Sequence, residues 1–200
     1  MRVLLAHGSS DSEHGEQVQD LANKVSVLLD EEVGTAFLSD GIIPEGSQVL
    51  PLFLGKGKHV TDDIPKLIAA SKSCLLPSLG EHSEAIARLA CAPKKPRLLF
   101  ALYQMEAFDS LVSALRAGNE TCTIALLHGK PSITSVLDHW HNEGLTEVAV
   151  QPMLLFGGRS LARVRTMISD SAMPNVTIAP VLSELDGFAE LVAECLRIEP

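Results

Sequence analysis

A chain of 200 residues that is 46% hydrophobic holds enough apolar material for one large α/β domain or for two small ones. Its net charge of −9 speaks against nucleic acid as a partner, because phosphate binding needs a basic face. Apolar runs stay short of the roughly 18 residues of a membrane span, and the N-terminus enters a strand pattern with no basic leader. A cytoplasmic protein with no membrane partner is expected.

Residues 2–6 read as a strand, and Val18, Leu21, Ala22, Val25, Leu28 and Leu29 follow as a helical stripe. Strands are expected at 35–38, 49–54 and 74–79. Ile64, Leu67 and Ile68 mark a helix between the last two, and Ile86 and Leu89 mark another after the third. Pro93-Lys94-Lys95-Pro96 breaks the pattern as a linker. The theme then repeats, with strands at 97–103, 122–127, 146–155 and 176–182 and helices at 106–117, 132–143, 160–170 and 187–197.

The repetition is visible in the residues. Val49-Leu50-Pro51-Leu52-Phe53-Leu54-Gly55 echoes 150–157, and Leu76-Pro77 echoes Ala179-Pro180. The expected organisation is therefore a duplicated α/β fold: an N-terminal half over 1–92 and a C-terminal half over 97–200, with parallel sheets and a cleft between them. One asymmetry stands out. Residues 39–48 are too few for the helix that the second half carries at the same place, so an irregular connection is expected there.

If each half is wound like flavodoxin, in strand order 2-1-3-4, the chain order reverses between strands one and three, and ligands bind at such a reversal. His7 follows strand one and His59 follows strand three. Two imidazoles converging there suit a divalent first-row metal and proton transfer near neutral pH. Taken singly, His7 has a plainer reading as a core histidine bonded to backbone and His59 as a solvated loop residue, each the lesser of the two readings; their pairing weakens that account further. In the repeat register His7 falls opposite about Leu102 and His59 opposite about Ser160, so the pair belongs to the first half alone. His128 counts only as a cleft-edge candidate. Asp62 and Asp63 read as caps of the helix that follows.

Basic residues gather near the same loops. Lys56 and Lys58 follow strand three, Arg159 and Arg163 follow its counterpart, and Ser9 shares the turn with His7. These five are the expected substrate-binding set, fitted to a ligand with several carboxylates. Cys74, Cys91, Cys122 and Cys195 are scattered without a metal-binding spacing and read as reduced thiols.

His7-Gly8-Ser9 together with Pro51-Leu52-Phe53-Leu54, Gly57, His59-Val60 and Asp63-Ile64-Pro65 resembles the sirohydrochlorin chelatases, class II chelatases of siroheme and anaerobic cobalamin synthesis. The resemblance implies two chelatase-like halves around a tetrapyrrole cleft. It also implies His7 and His59 as active-site and metal-binding residues, Fe2+ or Co2+ as the metal substrate, sirohydrochlorin as the second substrate, and no prosthetic group or nucleotide. Monomer and homodimer both fit this reading. A non-enzymatic tetrapyrrole or metal carrier is the alternative, since fold alone does not fix activity. The short 39–48 connection departs from the family pattern.

Overall fold

The computed structural model describes residues 1–8, 12–92, 97–119 and 121–198. In chain order the first elements are β1 (Arg2–Ala6), α1 (Ser12–Leu29), β2 (Val33–Phe37), β3 (Gln48–Pro51), α2 (Ile64–Ser71), β4 (Cys74–Leu75) and α3 (Ser83–Cys91). They are followed by β5 (Leu98–Leu102), α4 (Asp109–Gly118), β6 (Thr123–Leu126), α5 (Ile133–Asn142), β7 (Glu147–Pro152), α6 (Arg159–Ser169), β8 (Asn175–Ile178) and α7 (Phe188–Arg197). The expected linker at 93–96 lies outside the described residues.

Two parallel four-stranded sheets result, in the orders β2-β1-β3-β4 and β6-β5-β7-β8. Both have the expected flavodoxin-like winding, and both carry the same ladder: Leu5 pairs with Pro51 in the first as Ala101 pairs with Pro152 in the second. The duplicated α/β fold read from the sequence is the fold of the protein. A parallel sheet is covered on both faces, which is why its strands are continuous apolar runs rather than alternating ones. Val3 to Ala6 and Leu98 to Leu102 are buried throughout.

Strands end earlier than the apolar runs do. β4 keeps only two residues because Pro77, lacking an N–H, stops the ladder soon after Leu76 donates to the Val49 carbonyl at 2.9 Å. A 3-10 turn over Leu79–His82 takes the rest of that run, closed by a capping box between Ser78 and Glu81. The 39–48 connection contains a 3-10 turn at Leu38–Asp40 and no α-helix, as its length requires.

The compact units are not the two sequence repeats. Met1–Ala85 joins Asp186–Pro200 in the first unit, and Ile86–Leu185 forms the second, in place of the expected division at 92 and 97. The cause is α7, whose Phe188, Leu191, Val192, Cys195 and Leu196 make one buried face. That face packs against α1 and β3 of the first unit. Arg197 donates to the Leu28 carbonyl at 2.9 Å, and Gln48 donates to the Ile198 carbonyl at 2.9 Å. On the other side of the first sheet, Val3, Leu5 and Val49 form a core with Ile64 and Ile68 of α2. The second unit has its own core, in which Leu99, Ala101 and Val150 meet Leu137 and Trp140 of α5 and Val164 of α6.

Candidate active site

The site lies in the first unit where the strand order reverses. β1 ends at Ala6, and Gly8 then turns the chain with φ of +90°. Only glycine takes this backbone readily, and a Cβ there would stand 2.1 Å from Ser39 Oγ. Ser39 N–H in turn donates to the His7 carbonyl at 3.1 Å, so the turn after β2 props the residue that follows β1.

His59 is held from the other side. Beyond β3 the Leu52 N–H donates to the Leu5 carbonyl at 2.8 Å, and Gly80 N–H donates to the Phe53 carbonyl at 2.7 Å. Gly80 has no room for a side chain, since a Cβ would stand 2.2 Å from the Leu54 carbonyl oxygen. The chain then makes a π-helical turn over His59–Asp63 before α2, which begins with Pro65 in its first turn. Such turns carry one residue more than an α-helical turn and re-aim the side chains on them.

The two imidazoles meet. Their Nε2 atoms are 3.1 Å apart, with ring centroids at 4.6 Å and planes at 81°. His59 Nδ1 donates to Asp63 Oδ2 at 2.8 Å, four residues on. His7 Nδ1 lies 3.1 Å from the Gly8 carbonyl oxygen, an atom that only accepts. With both Nδ1 atoms donating, each Nε2 presents a lone pair to the other, and facing lone pairs are a seat for a cation. A divalent ion about 2.1 Å from both would subtend roughly 95° at this spacing, a cis pair of an octahedron. Phe53 stands beside both rings, 6.4 Å from His7 and 6.5 Å from His59.

His7 and His59 line a cavity of about 500 Å3. Leu38, Ser39 and Gly41 from the connection after β2 form part of its wall, and Asp63, Lys66, Leu67 and Ala70 form another part. Among the described residues no group of three or more His, Cys, Asp or Glu side chains is placed to hold a metal ion.

The expected binding residues fall in different places. Lys58 is exposed and immediately precedes the π-helical turn. Lys56 reaches Glu81 at 3.5 Å, so its charge is partly answered within the protein. Arg159 opens α6 and Arg163 lies exposed on it, both in the second unit. Ser9 lies outside the described residues. Neither Asp62 nor Asp63 does the expected capping: the α2 N-cap position, Asp63, makes no side-chain cap bond and spends its carboxylate on His59. Ser39, Asp63 and Lys66 also line the cavity, and the sequence reading named none of them as candidates for the site. The four-residue spacing from His59 to Asp63 was the available signal, obscured because aspartate before a helix reads first as a cap.

Among the described residues the second unit has no matching histidine pair. The ladders set Tyr103, one residue past the expected Leu102, in the place of His7, and His128 in the place of Ser39. Their rings stand 4.8 Å apart.

Duplicated flavodoxin-like halves, with an imidazole pair at the strand-order reversal of the first, define an α/β protein with a candidate site on one repeat. Residues 2–90 match the model of the CbiX family. The chain is similar to that family over this segment, which carries both histidines. No curated protein matches the chain. Among solved structures it is similar to CbiX, the terminal enzyme for siroheme biosynthesis in denitrifying bacteria, with TM-score 0.76 and 17% identity over 98% of each chain. SirB from Bacillus subtilis with Fe3+ matches with TM-score 0.75 and 14% identity, over 98% of this chain and 95% of that one. The sirohydrochlorin chelatase SirB from Bacillus subtilis subspecies spizizenii, in complex with cobalt, gives 0.64 and 16% over 98% and 92%. At these identities the likeness carries the fold.

Proposed function

We propose that the protein is a sirohydrochlorin chelatase, inserting Fe2+ or Co2+ into a metal-free, carboxylate-bearing tetrapyrrole. The observation that carries this reading is the 3.1 Å approach of His7 Nε2 and His59 Nε2 beside an open cavity. The match of residues 2–90 to the CbiX family model supports it.

Insertion exchanges one M2+ for two pyrrolic protons. Two imidazole lone pairs suit both parts of that exchange. While the ring is metal-free they hold the cation, without the tight grip of a thiolate that would oppose its release. Once the cation passes to the macrocycle, the same two lone pairs are free for the two departing protons. His7 and His59 are thus both metal ligands and proton acceptors. Asp63 fixes the His59 tautomer and ring orientation, as carboxylates behind ligating histidines do. No prosthetic group or nucleotide enters this scheme.

Lys58 is proposed to meet the carboxylate fringe beside the histidines, and Arg159 and Arg163 remain candidates for such contacts on the second unit. Lys56 is the weakest of the set because of Glu81. We favour iron, and so siroheme, as the natural product, in a cytoplasmic setting. Anaerobic incubation of the purified protein with sirohydrochlorin and either metal tests the reading by absorbance: the spectral change of metallation should follow protein concentration. Tetrapyrrole binding without that change would make the protein a carrier instead.

A further inference from the structure

The two repeats differ by one helix, and the difference falls beside the histidines. In the second unit α5 lies between β6 and β7 in the chain and packs against α6. Thr134 of α5 donates to the Met167 carbonyl at 2.8 Å, and Asp138 accepts from Ala172 N–H at 2.8 Å just beyond α6. In the first unit the corresponding stretch, between β2 and β3, has no α-helix. The repeat register matches α2 to α6, with Ile64 and Val164 each fully buried on the sheet side. In that register Leu67 stands where Met167 stands. Met167 is covered by a helix; Leu67 lines the cavity, with Lys66 and Ala70 beside it.

We propose that the tetrapyrrole edge occupies the place of the missing helix, lying on the α2 face of Lys66, Leu67 and Ala70, and that Lys66 binds one of its peripheral carboxylates. The inference rests on the chelatase reading and adds to it the subsite and the residue. Three observations favour this occupant. The cavity is continuous with the metal-binding pair, since His7 and His59 line it too. Leu38, Leu67 and Ala70 give it apolar wall for a flat conjugated ring, within the size range usual for ligand pockets. Lys66 supplies a positive charge at its edge, and makes no ion pair among the described residues. Lys66 is a substrate-binding residue in this scheme, away from the reacting atoms, so its loss should weaken capture of the ring more than the chemical step.

The test compares the parent with Lys66→Glu, with Ala70→Trp, which fills the space from an exposed helix position, and with Lys24→Glu on α1 as a charge-matched control. Steady-state insertion is followed with sirohydrochlorin and Co2+, and binding of Co2+ alone is measured by titration. Both subsite variants should raise KM for the tetrapyrrole about tenfold or more while kcat stays within about twofold. Co2+ binding should be unchanged in both, and Lys24→Glu should behave as the parent. An active parent with KM unaltered in both variants overturns the subsite alone, as does a loss confined to kcat. A parent that neither binds nor metallates the ring overturns the chelatase reading and this inference with it.

Discussion

Asp63 Oδ2 accepts a hydrogen bond from His59 Nδ1 at 2.8 Å, across a single π-helical turn. That bond fixes which nitrogen of His59 faces His7. Asp63→Ala should therefore weaken Co2+ binding by about 10- to 100-fold, in line with other carboxylates behind metal-binding histidines. Asp63→Asn, which keeps an acceptor oxygen, should lose less. Titration of the metal absorption band separates the two.

Replacing His7 or His59 by Ala removes one of the facing lone pairs. Each change should lower kcat for insertion by about 10²–10⁴. Because the pair acts as a unit, the double variant should be little worse than the more damaged single one. Both side chains are solvent-accessible at the cavity, so thermal midpoints should stay close to that of the parent.

Gly8→Ala meets two obstacles at once, the φ of +90° and the Ser39 side chain. A destabilisation of about 1–3 kcal/mol is expected from urea unfolding. The Ser39 hydroxyl can swing aside, but its Cβ, 2.9 Å from the new methyl, cannot. Adding Ser39→Gly should return the steric part and leave the backbone part.

Burial pushes the Cys195 thiol up to about 11, helped by Glu194, and pushes Cys122 up to about 11, helped by Cys91. Both should react slowly with a disulfide reagent near neutral pH until the chain unfolds. The folded protein holds these protons to higher pH than the unfolded chain, whose thiols titrate near 9.0. Their effect on stability is thus flat below about pH 9 and turns unfavourable as pH rises toward about 11. Equilibrium unfolding across that window, compared with Cys195→Ala and Cys122→Ala, isolates the contribution.

The histidine pair was legible in the sequence because topology, rather than proximity in the chain, brings it together: once strands one and three are neighbours, residues 7 and 59 must approach. Asp63 and Lys66 were less legible. Asp63 immediately precedes α2 and Lys66 lies in its first turn, where a carboxylate reads as a cap and an exposed lysine as solvated surface. The π-helical turn leaves no periodic signature, since one extra residue hardly alters the apolar stripe Ile64, Leu67, Ile68. The apolar run at 74–79 promised a longer strand than Pro77 permits. The amphipathic pattern of 188–197 announced a helix with a buried face, yet periodicity carries no statement of which sheet that face covers.

The placement of α7 has a consequence for how the molecule comes into being. Residues 1–85 carry the imidazoles and their whole sheet, but α1 and β3 lack the cover of α7 until a segment more than 150 residues downstream of α1 has been synthesised. On the ribosome the second unit is finished before the first can close. One repeat thus depends on the far end of the other, and severing the two would expose the back of the sheet that holds the histidines.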